Sequence, residues 1–128
     1  MPPRAHRIEE WAIKVLLVED DDLVRTVAVD ALEEAGFDVI EAVTGEEAME
    51  HCRGRVADIL FTDIRLPGRV NGWDIAERCR ELNPDLPVVY ATGFSLDAPR
   101  LVPGSRLLHK PYHVAEVVDT IRTMVGLE

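Results

Sequence analysis

The 128-residue sequence predicts a single α/β domain in which five short strands form a parallel sheet with helices on both faces. The first observation is a set of short apolar runs bounded by charged or turn residues, which is typical of buried parallel strands. The second is that segments with helical apolar spacing separate these runs. Such alternation favours right-handed crossovers and a doubly wound sheet. The third is the length, which suffices for one core and is too short for two domains.

The first strand and helix are predicted from the run Lys14 to Val18 and the segment after it. This apolar run is short and flanked by charge, as in a central strand. Apolar residues then follow helical spacing from Leu23, and Gly36 is placed to end that helix in the left-handed conformation. We expect Asp21 or Asp22 to cap the start of this helix.

The second and third strands have one short helix between them. Asp38 to Val43 predicts a weaker strand, and Thr44 with Glu47 forms a capping box that opens a helix to about Cys52. The run Ile59 to Asp63 passes from apolar residues into a single carboxylate, and a proline-glycine pair soon after forbids continuation. Asp63 is therefore predicted to end a buried strand.

The remaining elements follow the same alternation. A helix is expected from about Asn71, and it ends before Pro84 because proline disfavours helix in the residue preceding it. Leu86 to Thr92 predicts the next buried strand and Arg106 to Lys110 the last short one. Val114 to Val125 marks a long amphipathic final helix.

Composition narrows the possible functions. Hydrophobic residues make up 47% of the chain, and no run is long enough to cross a bilayer or to form a signal-peptide core, so we expect a cytoplasmic protein. The formal charge of -10 disfavours direct nucleic-acid binding. Cys52 and Cys79 fall on separate predicted helices without metal-ligand spacing, and we expect reduced, partly buried thiols. Residues 1–12 are expected to be an N-terminal tail and residues 13–128 the domain.

Polar residues end four of the predicted strands: Glu19 and Asp20, then Asp63, then Thr92, then Lys110. In a parallel sheet these ends lie at one edge, where ligands collect. Crowded carboxylates raise one another's pKa unless a cation compensates. A hard ion such as Mg²⁺ accepts one or two carboxylates together with phosphate oxygens and waters. The edge is therefore predicted to hold a metal and to receive a phosphoryl group.

Charge type and position suggest a role for each residue. Asp63 is the natural nucleophile toward phosphorus, because a carboxylate can form an acyl phosphate. Asp20 would ligate the metal, with Glu19 assisting through water. Lys110 would neutralise one phosphoryl oxygen, and the Thr92 hydroxyl would donate to another. Singly, these residues are more often a solvated charge, a turn residue or a strand-end hydroxyl; their joint arrangement favours the site.

The sequence resembles the receiver domains of two-component response regulators over about residues 14 to 125. The motifs that carry the resemblance are Val18-Glu19-Asp20-Asp21, Thr62-Asp63-Ile64-Arg65-Leu66-Pro67, Ala91-Thr92-Gly93 and His109-Lys110-Pro111. The resemblance implies a flavodoxin-like sheet of strand order 2-1-3-4-5. It also implies that Asp63 takes phosphate from a phosphohistidine on a sensor histidine kinase or a histidine phosphotransfer protein.

The same resemblance implies the metal ligands and one unusual peptide bond. Mg²⁺ would be bound by Asp20, Asp63 and the backbone carbonyl of Arg65, with Glu19 completing the acidic pair. The bond between Lys110 and Pro111 would be cis. The domain would catalyse its own phosphorylation and dephosphorylation and signal by protein contact, without being an enzyme acting on other substrates.

Three departures from the family pattern stand out. The loop from Pro67 to Gly72 is one residue longer than usual, a variant associated with receivers that belong to or cooperate with hybrid kinases. The segment between Thr92 and Lys110 is short and proline-rich, so the fourth helix of the family is expected to be reduced or irregular. Leu107 stands where an aromatic switch residue is usual.

These departures lead to two hypotheses about signalling. Without the aromatic residue, an output switch would use other packing, such as movement of the loop from Phe94 to Gly104. The usual weak homodimer on that face is in doubt for the same reason. Arg65 and Phe94 flank the expected path of the hydrolytic water, and we predict slow to moderate self-dephosphorylation.

Three other functions fit the sequence less well than a receiver does. A phosphate-independent receiver-like scaffold usually loses one or more of the residues that are intact here. A flavin carrier on the same fold would have a glycine- and hydroxyl-rich loop after the first strand, where this chain has acidic residues. A haloacid-type phosphatase would need a second aspartate two residues after Asp63, where Arg65 stands. Whether the chain is a stand-alone receiver or part of a larger protein stays open.

Overall fold

A computed structural model describes residues 12–93 and 98–127 and contains a five-stranded parallel sheet of order β2-β1-β3-β4-β5, as predicted. Because every strand pair is parallel, the carboxyl ends of the strands meet at one edge of the sheet. The strands are β1 (Lys14–Val18), β2 (Asp38–Ala42), β3 (Ile59–Asp63), β4 (Val88–Thr92) and β5 (Arg106–His109), and the helices are α1 (Asp22–Glu34), α2 (Gly45–Gly54), α3 (Gly72–Leu82) and α4 (Val114–Met124).

Successive residues of each strand pack into two different apolar layers, because side chains alternate across a sheet. Val15 and Leu17 of β1 face α1 and α4, whereas Leu16 and Val18 face α2 and α3. All four side chains are buried. We refer to these as the α1/α4 layer and the α2/α3 layer. The central strands are thus covered on both faces, which explains their continuous apolar character.

Side-chain caps set the starts of three helices. The Asp21 carboxylate accepts a hydrogen bond from Val24 N at 3.0 Å, so Asp21 is the cap of α1. Thr44 caps α2 as predicted, but the reciprocal Glu47 carboxylate accepts from Val43 N instead of Thr44 N. The capping box in which Asn71 and Asp74 open α3 was not predicted.

The connection between β4 and β5 contains no helix in its described part, residues 93 and 98–105, in agreement with the expected reduction. Val102 N donates to the buried Tyr90 hydroxyl at 3.1 Å, and Arg100 forms ion pairs with Asp74 and Glu77 of α3. These contacts tie the connection to the α2/α3 layer. Residues 94–97, including Phe94, lie outside the described residues.

The expectation of reduced thiols is wrong in this structure. Cys52 of α2 and Cys79 of α3 form a disulfide, with Cα atoms 5.3 Å apart. The two helices pack side by side on the same sheet face, and both cysteines lie on their buried sides. Helical periodicity predicted that burial but carries no information about which helices become neighbours.

Two further expectations concern the chain as a whole. None of the helices in the described ranges combines the length and the apolar character that crossing a bilayer requires. Residues 1–11 of the expected N-terminal tail lie outside the described residues.

Candidate functional site

The polar residues predicted at the strand ends do meet in one cleft at the carboxyl edge of the sheet. The strands β1, β3 and β4 and the turns that follow them supply most of its walls. The cleft is lined by Glu19, Asp20, Asp21, Asp63, Arg65, Ala91, Thr92, Gly93 and Lys110. All six predicted site residues are therefore brought together.

Lys110 is the cation of the cleft and contacts two carboxylates directly. Its Nζ donates to Glu19 Oε1 at 2.7 Å and lies 2.8 Å from Asp63 Oδ1. The bond between Lys110 and Pro111 is cis, as the resemblance implied. Burial lowers the pKa of Lys110, but hydrogen bonds to Asp63 and Glu19 outweigh burial and raise it overall. The side chain is thus a permanent positive charge beside Asp63.

Asp63 is buried at the end of β3, with 7% of its surface exposed. Its pKa is raised from 3.8 to about 7: burial contributes most to the increase, the neighbouring Glu19 adds to it, and Lys110 opposes both effects. The backbone around it is closely packed, because Gly72 N donates to Ile64 O at 2.8 Å. A side chain at Gly72 would overlap the Asp63 carbonyl oxygen. The first turn of α3 therefore helps to hold Asp63 in place.

Three carboxylates form a cluster that could hold a cation. Ligand oxygens of Glu19, Asp20 and Asp63 lie within 4.8 Å of one another, and only Asp20 is exposed. An all-oxygen donor set beside an open cleft fits a hard divalent ion that keeps several waters. Arg65 also lines the cleft.

Thr92 ends β4 at the rim of the cleft and is buried. One strand away, Leu107 lies where the family has an aromatic residue, and its partner in the sheet register is Tyr90. The Tyr90 ring packs against Trp73 with centroids 4.9 Å apart. An aromatic side chain therefore does lie beside this position, but it comes from β4. Sequence reasoning missed it because strand neighbours depend on register.

Arg25 of α1 is a second residue that sequence reasoning missed. Its guanidinium donates to the backbone carbonyl of Glu19 at 2.9 Å, directly behind the acidic cluster. The sequence does hold a signal for this contact. Arg25 is a basic residue one helical turn after the Asp21 cap, which places it at the end of α1 that lies nearest the cleft.

An apolar groove adjoins the cleft on the side of the α1/α4 layer. Leu23 is 74% exposed and Val27 48% exposed, although both are large apolar side chains. The groove is lined by Leu23, Val24, Val27, Lys110, Pro111, Tyr112 and Val114. Lys110 lines both the groove and the cleft and contacts Asp63, so a single side chain separates the groove from Asp63.

A buried carboxylate paired with a lysine, within an acidic cluster at the carboxyl edge of a 2-1-3-4-5 sheet, defines the receiver class of signalling domains. The family model described as the response regulator receiver domain matches residues 15–122, and the chain belongs to that family.

Two curated relatives from Brucella abortus (strain 2308) illustrate the family. The response regulator receiver protein CpdR is 35% identical over 119 residues, which cover 88% of this chain and 96% of that protein. The sensor kinase CckA is 33% identical over 117 residues, which cover 87% of this chain but only 12% of the kinase. Similar domains thus occur both as a short protein and within a much longer kinase.

Solved structures agree with this assignment. A response regulator receiver protein from Sinorhizobium medicae WSM419 superposes with a TM-score of 0.87 at 29% identity and covers 91% of this chain and 97% of that one. The receiver domain of the hybrid histidine kinase CckA gives a TM-score of 0.77 at 28% identity and covers 88% and 99%. The chain is therefore a receiver domain of the two-component type.

Proposed function

We propose that Asp63 accepts a phosphoryl group from a phosphohistidine of a sensor histidine kinase or a histidine phosphotransfer protein, in a Mg²⁺-dependent reaction. The observation that carries this proposal is the pairing of the buried Asp63 carboxylate with Lys110 inside the acidic cluster. Residues 13–128 would be the receiver and residues 1–12 a tail. The phosphorylated domain would signal by protein contact.

The chemistry is a displacement at phosphorus. A carboxylate oxygen of Asp63 attacks, the phosphorus–nitrogen bond to the donor histidine breaks, and its electron pair returns to the imidazole. The product is an acyl phosphate on Asp63. Lys110, which contacts Asp63 directly in this structure, would contact a phosphoryl oxygen instead, and the Thr92 hydroxyl would donate to another.

A divalent cation fits the cluster and would be held by Asp20, Asp63 and the Arg65 carbonyl, with Glu19 acting through water. When bound, Mg²⁺ supplies positive charge that neutralises phosphoryl oxygens and the crowded carboxylates. The chain's own part is to hold those oxygens within 4.8 Å of one another in one cleft. Asp63, Thr92 and Lys110 carry the transfer itself.

The apolar groove beside the cleft is the proposed seat of the phosphohistidine-bearing partner. Exposed Leu23 and Val27 offer apolar contact area within reach of Asp63, since Lys110 lines both groove and cleft. The net charge of -10 favours a partner whose surface carries basic side chains around an apolar centre. A partner docked there would present its phosphohistidine to Asp63.

Loss of the phosphoryl group would follow attack by water on the same phosphorus atom. Arg65 at the rim of the cleft would hinder that water, which supports the prediction of slow to moderate self-dephosphorylation. A half-life of seconds for the purified acyl phosphate would contradict it.

Intact mass after incubation with acetyl phosphate tests the proposal. The wild type should gain one phosphoryl group with Mg²⁺ and none with a chelator, and Asp63→Asn should gain none. Asp30→Asn is the matched control, because it removes the same charge from an exposed position on α1. A wild type that folds but never gains mass would instead favour the phosphate-independent scaffold.

A further inference from the structure

Arg25 links three parts of the chain behind the acidic cluster. Its Nη1 donates to Glu19 O at 2.9 Å, its Nε to Glu41 Oε1 at 3.2 Å and its Nη2 to Asp22 Oδ1 at 2.6 Å. The side chain is 13% exposed, whereas Asp22 is 87% exposed. The hydrogen bond that Arg25 donates to the Asp22 carboxylate contributes most to raising the pKa of Arg25. The guanidinium is therefore a permanent charge at the junction of β1, β2 and α1.

The contact with the Glu19 carbonyl differs in kind from the two ion pairs. Ion pairs with exposed carboxylates contribute little, because water competes for both partners. Glu19 follows the last residue of β1. Its N–H continues the sheet pairing by donating to Ala42 O at 3.1 Å, but its carbonyl lies beyond the end of the strand. Arg25 supplies a charged donor for this carbonyl. A charge-assisted hydrogen bond of this type holds a group more firmly than a neutral one.

Holding that carbonyl also orients Asp20. The Glu19 carbonyl, the Asp20 nitrogen and the Asp20 Cα lie in one peptide plane. The Asp20 carboxylate is exposed in the cleft. The Cα from which this carboxylate projects is positioned through the backbone, whereas the Glu19 side chain is held by Lys110 and Asp21 N.

We propose that Arg25 is a positioning residue for the metal site: it holds the Glu19 carbonyl so that the Asp20 carboxylate stays within the acidic cluster. The proposal rests on the Mg²⁺ binding proposed above. Groups that orient metal ligands from behind typically change metal affinity by about 10- to 100-fold when removed.

The charge of Arg25 and its positioning contact have opposite effects on Mg²⁺ affinity. A cation beside the cluster repels Mg²⁺, so neutralising it would strengthen binding if charge were the larger effect. Loss of the contact with Glu19 O would leave Asp20 free to turn away and would weaken binding. The sign of the change therefore separates the two effects.

The experiment measures Mg²⁺ affinity by calorimetry on the wild type, Arg25→Gln and Arg25→Lys. Positioning predicts that Arg25→Gln weakens binding by about tenfold or more despite the lost positive charge. Arg25→Lys should also weaken binding, by a smaller factor, because lysine keeps a charged donor for the Glu19 carbonyl but lacks the planar fork. Arg53→Gln is the matched control, since it makes the same charge change on the last turn of α2, at the opposite edge of the sheet.

A metal-free readout accompanies the titration. In amide NMR spectra of Arg25→Lys, the Asp20 resonance should shift while resonances at the opposite edge, such as that of His51, stay in place. This pattern distinguishes local reorientation from loss of fold, and Arg25→Lys answers the question if Arg25→Gln does not fold.

Each outcome decides between the proposals. Equal or tighter Mg²⁺ binding by the folded Arg25 variants would overturn the role of Arg25 and leave the proposed function intact. A folded wild type that binds no Mg²⁺ would overturn both.

Discussion

The two helical layers differ in how firmly they are held. In the α2/α3 layer a disulfide joins the two helices. Each helix also begins with a glycine, and these glycines allow close contact with the candidate phosphoacceptor and with the segment that follows it. Gly45 packs on Val70 in that segment, and Gly72 packs on the backbone of Asp63. In the α1/α4 layer the helices carry exposed apolar residues such as Leu23 beside the cleft. One layer holds Asp63 in place, and the other leaves a surface open beside it.

This difference suggests a division between structure and recognition. Changes in the α2/α3 layer should alter the free energy of unfolding strongly. Changes on the exposed part of the α1/α4 layer should leave stability intact and affect only reactions that need a protein partner. Four predictions test this contrast, beginning with the largest expected effect on stability.

Reduction of the disulfide should lower the free energy of unfolding by about 3 to 4 kcal/mol, because cross-linking residues with a separation of 27 restricts the unfolded chain. Denaturant unfolding with and without a phosphine reductant measures this. The double variant Cys52→Ala/Cys79→Ala is the control and should not respond to reductant. Equal stability of the oxidised and reduced wild type would contradict the holding role of the α2/α3 layer.

Gly72→Ala should destabilise the domain by about 2 kcal/mol through overpacking, because the new methyl group would overlap the Asp63 carbonyl oxygen and lie 2.8 Å from Ile64 Cα. It should also slow phosphorylation by acetyl phosphate, since Asp63 must shift. Gly54→Ala is the matched control in the same layer, where the nearest atom, Val56 Cγ1, is 3.3 Å away. Similar unfolding midpoints for both variants would be evidence against tight packing at Gly72.

The raised pKa of Asp63 should appear in the pH dependence of stability of the metal-free protein. Protonation is favoured in the folded state, so its stabilising contribution is complete below pH 3.8 and is lost as the pH rises through about 7. The Asp63→Asn variant has no carboxyl proton to lose at this position, so its stability does not fall in this way as the pH rises. The stability of the variant relative to wild type should therefore rise between pH 5 and 8, by about 2 to 3 kcal/mol. A constant difference across that range would show that the Asp63 pKa is not raised.

Leu23→Ser should change the free energy of unfolding by less than about 0.5 kcal/mol, because the side chain is 74% exposed. Phosphoryl transfer from a phosphorylated histidine kinase should slow by about tenfold, as for a central contact of an interface. Phosphorylation by acetyl phosphate should not change. Val56→Ser is the control, because it changes another exposed apolar residue, at the far edge of the sheet. Equal kinase-dependent rates for both variants would place the docking surface elsewhere.

Much of the fold follows from local signals. Apolar runs of strand length, the Asp21 cap and the left-handed Gly36 after α1 are all readable along the chain, and the structure confirms them. The meeting of Asp63 and Lys110 in one cleft followed from topology, because parallel strands share a carboxyl edge. The Lys110 side chain is long enough to extend along that edge and form the ion pair with Asp63.

The features that were missed depend on which elements become neighbours. The pairing of Cys52 with Cys79 needs α2 and α3 side by side at a particular depth, which no periodicity specifies. Tyr90 lies beside Leu107 only through the register of β4 and β5. Arg25 reaches the Glu19 carbonyl because β1 ends where α1 begins, so the contact needs the three-dimensional turn between them.

The disulfide also determines how the domain would respond to mechanical force. When the two chain ends are pulled apart, the covalent path runs from Cys52 to Cys79 through the sulfur atoms, so the backbone between them, which includes β3 and the phosphoacceptor, cannot be extended. The oxidised domain would extend by roughly 90 Å less than the reduced one, given a separation of 27 residues. A backbone cut between residues 53 and 78 would likewise release no fragment until the sulfur bridge is opened.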